Sequence, residues 1–565
     1  MKSKDEPLIP FKTIDYIFGI LVLFVSFGVY LHTLTPTVGF HDSGELISVA
    51  YTLGIAHPPG YPLYTLLGKV FITLIPIGNI AFRMNMQSAL FASLCVMMTY
   101  FITLRLTSLI IPSIVASLTL AFSLTFWEQA VIAEKYTLNA LFATLIIFIL
   151  LKWEENLKFT IYNLKFLYLF SFILGLSFTH HFQTIYLVPA SVFFILATLI
   201  KNRGKGKKKL QSDSVFCLLS SVFFFLLPLT LWAYLPLRAS QEPVLNWGDP
   251  DTTEKFINHI TARHYKSYFT SSPKVILSHL INQLNFLPHQ FNILLIIALF
   301  GLFVLFKKRL LFTFFFFIIF SNILYSVSYD IPNIEDYYIP SFIILSIFIG
   351  IGLFLIRRFS ILLYLSLFLI FLPISKNYNY NNRTFYYLAY DLGNNVLMTF
   401  KSNPIILECG DNTGFPLLYL NNVLRKRADL IHISLPFLKY PWYNSFLQKV
   451  YKDEFSFSVS AIGYTINLSD YLYSLILRNI NSHSIYIEEP EYINSWRLIP
   501  NGLFFKAASG NEGIPDISYK IRGLGRYKDW RSQITFKNYA IAYTLIGKEK
   551  EAERIRSVIK ETRNE

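Results

Sequence analysis

His41-Asp42-Ser43-Gly44-Glu45 and His57-Pro58-Pro59-Gly60-Tyr61-Pro62 put two carboxylates, two imidazoles and a rigid turn into one short stretch. The stretch directly follows the first long apolar segment, residues 14–34. A carboxylate at the mouth of a lipid-accessible cavity can take the proton from an acceptor hydroxyl as that oxygen attacks a sugar. The departing lipid-linked phosphate then needs cationic or dipolar partners. Asp42 is the candidate base and Glu45 its neighbour. A structural role competes with this one. Leu46, Val49, Ala50 and Leu53 follow at helical spacing. Asp42 as N-cap with Glu45 three residues on would form a capping box. The two roles are compatible, because one carboxylate can orient the other. The prolines cannot continue a helix and Gly60 permits a tight turn, so this bend would return His57 toward Asp42.

Partners for the phosphate and sugar come from other polar clusters: His41, His57, Lys135, His180, Arg238 and Arg263. Arg83, His181 and His264 are further candidates, and the sequence does not rank them. Trp247, beside Asp249, could stack a sugar ring or anchor at the membrane interface. The His180-His181 pair is not a metal signature. The chain has 3 cysteines and no CxxC. Phosphate-binding GxxxxGK[ST], HExxH and GxSxG patterns are absent, as is a convincing GxGxxG. No cofactor and no metal are expected.

These residues must be held by membrane helices. Hydrophobic residues make up 53% of the 565, charged residues only 15%, and the mean hydropathy is +0.44. A soluble protein cannot hide that much apolar surface. A span needs about 20 mainly apolar residues. Segments 14–34, 84–104, 108–126, 136–151, 166–179, 182–200, 214–237, 291–306, 310–328, 340–356 and 359–374 qualify, giving about eleven spans. The first reads as uncleaved, being long and without a small-residue cleavage pattern.

The formal charge of +15 follows topology rather than nucleic acid. Lys201, Arg203, Lys205, Lys207, Lys208 and Lys209 share one loop, Lys307, Lys308 and Arg309 a second, and Arg357 and Arg358 a third. Short basic loops mark the cytoplasmic side. With Lys2, Lys4 and Lys12 also inside, all of the polar clusters above fall outside. Residues 61–77 are apolar but short and closed by Pro76. They read as an interfacial or re-entrant segment within a first outer loop, 35–83.

Beyond residue 375 polar residues rise and no run is long enough to span. Pro404–Glu408 reads as a strand, Gly410–Gly414 as a turn into a helix over 414–425, and Asp429–Ile433 as a second strand. The fold class expected is an α-helical polytopic membrane domain, 1–375, and an extracytoplasmic α/β domain, 376–535. Residues 536–565 form a helical hairpin like one tetratricopeptide unit.

The run from His41 to Phe71 resembles the signature of the family called domain of unknown function 2723, which includes the transmembrane-protein-260-like protein O-mannosyltransferases. Glu134–Asn139, Asn246–Pro250, Asp330–Pro340 and Gly410–Leu420 are also similar, so the resemblance covers roughly residues 14–445. It implies a GT-C glycosyltransferase with a polyprenyl- or dolichyl-phosphate sugar donor and inverting transfer. It also places the catalytic carboxylate in the first outer loop, which maps onto Asp42. The acceptor would be a protein Ser/Thr or a glycan or lipid hydroxyl, and mannose is the sugar that the animal members imply. The composition suggests a bacterial inner membrane with a periplasmic site, or the ER membrane in a eukaryote. Competing readings are a lipid-linked glycan flippase and a non-catalytic scaffold. A transporter should bury charges mid-span and show related halves; here charges crowd in the outer loops.

Overall fold

The computed structural model describes residues 10–156, 162–203, 213–332, 334–451, 468–493 and 496–561. Lys205, Lys207, Lys208 and Lys209 of the basic loop lie outside the described residues.

Each apolar segment read from the sequence is helical. Among the described residues, 8 helices are long and apolar enough to cross a membrane. Two further pairs pass only together and are sharply bent: Ile110–Ala121 with Leu124–Ala130 by 69°, and Pro273–Phe291 with Leu294–Phe306 by 105°. Leu164–Phe178 is a shorter apolar helix. The protein is therefore a multi-pass membrane protein. Hydroxyls inside the spans bond back to their own helix. Ser26 donates to the Val22 carbonyl at 2.8 Å and Thr99 to that of Cys95 at 2.9 Å. This satisfies polar groups where no water is at hand.

Four helices frame the site: α1 (Thr13–His32), α2 (Ser43–Thr52), α3 (Pro62–Leu74) and α4 (Ile80–Thr107). The 61–77 segment becomes α3, 13 residues long. At about 1.5 Å per residue it reaches about 20 Å, short of a bilayer core of about 30 Å. The expected span at 84–104 begins earlier. Asn79 caps α4 by accepting from the Phe82 N–H at 2.9 Å.

The C-terminal sheet has the order β2-β1-β3-β5-β4. β1 (Pro404–Glu408) pairs in parallel with β2 (Ile431–Ser434) and β3 (Ser484–Ile487). β4 (Leu498–Asn501) and β5 (Phe504–Ala507) add an antiparallel edge. The helix expected over 414–425 starts earlier, as Asp411–Leu418. Trp530–Leu545 and Glu549–Glu561 form the closing hairpin.

The sheet has its own apolar core, around Ile405, Leu407, Ile433, Leu472 and Ile485. The helices Leu388–Thr399 and Trp530–Leu545 instead share the core of the membrane helices, through Leu388, Val396, Phe536 and Tyr539. An ion cluster pins them there. Arg383 pairs with Glu128 at 3.1 Å and with Asp529 at 3.0 Å. Asp529 in turn caps Trp530–Leu545.

Candidate active site

Two loops and two bends converge on Asp42. Polar side chains on α4 tie the loops together. Asn85 donates to the carbonyls of Thr35 and Thr37 at 2.7 and 3.0 Å, and accepts from the Ala133 N–H at 2.8 Å. Ser88 accepts from the Glu134 N–H at 3.2 Å. The 69° bend before Leu124–Ala130 turns the chain so that Glu134 and Lys135 arrive beside Asp42. The second bend works as the sequence suggested in kind. Gly60, at φ +95°, occupies backbone space that favours glycine, and its N–H bonds the His57 carbonyl at 2.8 Å.

Asp42 stands in the N-cap position of α2, but its side chain caps nothing. The capping box expected from the spacing does not form, because stronger partners take both carboxylates. Asp42 is ion-paired to the Lys135 ammonium, and its Oδ2 is 3.7 Å from His57 Nε2. Glu45 accepts from the His57 backbone N–H at 2.7 Å and from its Nδ1 at 2.5 Å. Tyr61 Oη stands 3.0 Å from His57 Nε2. Glu134 accepts from the Asp42 N–H at 2.9 Å and lies 3.5 Å from Lys135 Nζ. His180 Nε2–H donates to the Lys135 carbonyl at 2.8 Å. It holds Lys135 in place and does not touch Asp42.

Exposure separates the two carboxylates. The Asp42 side chain is 26% exposed and that of Glu45 only 2%. Asp42 can meet an incoming group; Glu45 is nearly buried and its carboxylate is taken up by His57. Charge separates the others. Burial would raise the Asp42 carboxyl, but the Lys135 ammonium outweighs it and holds the group well below the usual range. Burial opposes charge on His57, and the carboxylates of Glu45 and Asp42 overcome it, raising its pKa. Burial pushes Glu134 up to about 7, with the Asp42 charge adding to the rise against Lys135. Burial and the nearby Arg531 lower His41 to about 3.

The remaining sequence candidates lie elsewhere. His41 has φ 59° and lines a small cavity with Glu128, Arg383 and Asp529. Arg238 donates to the Leu53 carbonyl at 2.6 Å, at the end of α2. Asp249 accepts from Lys255 Nζ and from Asn246, both at 2.8 Å. Arg263 bonds Asn258 at 3.1 Å. Trp247 packs against Trp442 and Phe437 of the C-terminal part, with ring centroids 5.2 and 4.6 Å apart. The 244–249 loop is fastened to the site: Ile55 N–H donates to the Leu245 carbonyl at 2.7 Å.

Some members of the site were not singled out from the sequence. Asn85 and Ser88 carried a signal as polar residues within a span. Asp411 carried only its place in the Gly410–Leu420 segment and Arg531 carried none, yet both charges act on Asp42 or its neighbours. Asp411 arrives because Asp411–Leu418 packs onto α2, and Arg531 because it bonds Asn412 of that helix. A Cβ at Gly44 would run into the Phe415 carbonyl, so only glycine permits this approach.

Asp42, Glu45 and His57 lie close enough for one atom of each to hold a metal ion. The ammonium of Lys135 already supplies the cation that Asp42 would seek.

Residues 42–204 match the family model described as the Protein O-mannosyl-transferase TMEM260 N-terminal domain, and residues 389–497 match TMEM260-associated domain 2. The chain is 26% identical over 456 residues to Protein O-mannosyl-transferase TMEM260 of Mus musculus, covering 75% of this chain and 63% of that protein. It is 24% identical over 484 residues to Protein O-mannosyl-transferase tmem260 of Dictyostelium discoideum, covering 75% and 58%. The chain thus spans about six-tenths of the length of these curated relatives. Among solved structures, ArnT from Cupriavidus metallidurans is similar in its apo state, with TM-score 0.56, 11% identity and coverage of 89% of this chain and 98% of that one. Its form bound to undecaprenyl phosphate gives TM-score 0.50 at 10% identity, covering 90% and 100%. At such identities the likeness shows the fold, which is GT-C-like.

Proposed function

We propose that this chain, a relative of the TMEM260 proteins with a GT-C-like fold, transfers a sugar from a polyprenyl- or dolichyl-phosphate to a hydroxyl acceptor. Asp42 is the general base. The observation that carries this reading is the pairing of an accessible, ionised Asp42 with the buried cation of Lys135, both within the residues that match the TMEM260 N-terminal domain model. The mouse and Dictyostelium relatives are O-mannosyl-transferases and the fold relative binds undecaprenyl phosphate. Both support the donor class and a mannose-like sugar.

The acceptor oxygen attacks the anomeric carbon and its proton passes to a carboxylate oxygen of Asp42. The bond from that carbon to the phosphate oxygen breaks, and its electron pair leaves on the lipid phosphate. Attack opposite the leaving group inverts the anomeric centre. Lys135 stands where it can turn from Asp42 to the phosphate as negative charge grows there. That turn loosens its hold on Asp42 and raises the basicity of the carboxylate when a base is needed. Protonated His57, braced by Glu45, keeps Asp42 in position. The reaction takes place on the outer face: the periplasmic side of a bacterial inner membrane, or the ER lumen in a eukaryote.

The test is transfer of radiolabelled mannose from polyprenyl-phosphate mannose by the purified protein in detergent, with Ser/Thr peptides and glycans as acceptors. Product formation that needs Asp42 supports the reading. Lipid-linked sugar crossing the membrane of vesicles without any transfer would replace it by a transporter.

A further inference from the structure

A cavity of about 120 Å³ opens where α2 and the 244–247 loop meet the C-terminal sheet domain. Glu45 and Val49 form its membrane-side wall, so it adjoins the site described above. Trp247, Phe437, Trp442 and Phe446 give it an aromatic wall. Its polar groups are unfinished. Asn246, only 7% exposed, has no hydrogen-bond partner for Oδ1; Asn421 Oδ1 and Trp442 Nε1 are likewise buried and unpartnered. Buried polar atoms without partners are costly, and a ligand is one way they are satisfied. Glu408 and Asp411 also face the cavity, while no lysine or arginine lines it among the described residues.

We propose that this cavity is a subsite for a neutral pyranose ring carried by the acceptor. The proposal rests on the transferase reading and deepens it. Flat aromatic faces suit the apolar face of a sugar ring, as they suit other flat ligands. The polar wall is rich in acceptors, so the ligand must bring donors, and sugar hydroxyls are donors. Among the described residues of the lining, the carboxylates of Glu45, Glu408 and Asp411 face one basic side chain, His432, whose Nε2 lies 3.8 Å from Glu408 Oε1, and this acidic balance disfavours phosphate and uronate. The donor's phosphate is ill served here, because Lys135, the cation paired with Asp42, lies outside the cavity lining.

The test is isothermal titration of the full-length Asp42→Asn protein in detergent, which removes turnover. The probes are methyl α-mannoside, methyl β-glucoside, glucuronate, a Ser/Thr peptide containing lysine, and polyprenyl-phosphate mannose. Saturable binding of a neutral glycoside, unaffected by the lipid donor and absent for glucuronate, is expected. Trp442→Phe, which keeps the wall but loses the N–H, should weaken it about tenfold, the worth of one good contact. Displacement of the glycoside by the lipid donor would assign the ring to the donor and overturn the proposal. Binding of the peptide but no glycoside would also overturn it, and would leave the transferase reading standing. Glycoside binding in a protein that never transfers sugar would keep the subsite and remove its catalytic context.

Discussion

Nε2 of His57 lies 3.7 Å from Oδ2 of Asp42. The ring reaches that place because Glu45 takes its Nδ1 and its backbone N–H together. One carboxylate thus sets the ring that faces the other. Asp42 and Glu45, three residues apart on one helix turn, therefore have different work.

The His57–Glu45 contact gives a pH signature. Its neighbouring carboxylates raise the pKa of His57 in the folded protein against the opposing effect of burial. The stability it adds is complete below the unfolded value of about 6.5 and is lost as pH rises through the higher folded value. Thermal unfolding of wild type and Glu45→Gln across pH 5–9 (roughly the range around that titration) checks this. The wild-type advantage should shrink as pH rises. An advantage that grows with pH contradicts it.

Lys135→Gln removes the cation offered to the leaving phosphate. Loss of one such electrostatic partner costs about 10²–10³ in kcat. The same change frees Asp42 from the charge that depresses it, so activity should also fall off at a higher pH on the acid side. Turnover measured against pH reads both effects. Equal kcat for the variant would remove Lys135 from the reaction.

Arg383→Ala leaves Glu128 and Asp529 facing each other without their shared cation. Breaking a buried ion pair from one side costs roughly 3–5 kcal/mol. Tm in detergent should drop sharply and the C-terminal hairpin should become protease-sensitive. Unchanged Tm with unchanged proteolysis would show that the cluster does not fasten this part.

Much of the frame was legible in the sequence. Long apolar runs gave the helices because each must satisfy its own backbone in lipid. Pro404–Glu408 emerged as a strand with the bounds read from its pattern. The loop after the first apolar helix announced itself through Asp42, Glu45 and His57. What stayed hidden was non-local. The capping box was a sound local inference, but Lys135 and His57 outcompete backbone N–H groups for the two carboxylates. Local spacing carries no trace of a partner 93 residues away. The approach of Asp411 and Arg531 was hidden for the same reason: the packing of Phe415 over Gly44 brings Asp411 near, and Arg531 arrives from another helix through its bond to Asn412. Arg238 and Arg263 shared the charge of a phosphate partner and differ in where the backbone puts them.

The central claim is that Asp42 accepts the proton of the acceptor hydroxyl. It is tested by comparing sugar transfer from polyprenyl-phosphate mannose by Asp42→Asn and Glu45→Gln, each checked by Tm for folding. Asp42→Asn keeps size and hydrogen-bonding capacity but cannot take the proton, so turnover should fall by about 100-fold or more. Glu45→Gln should be the milder change, because Glu45 acts through His57. Near-wild-type turnover by a folded Asp42→Asn protein, or a larger loss in Glu45→Gln, would contradict the account.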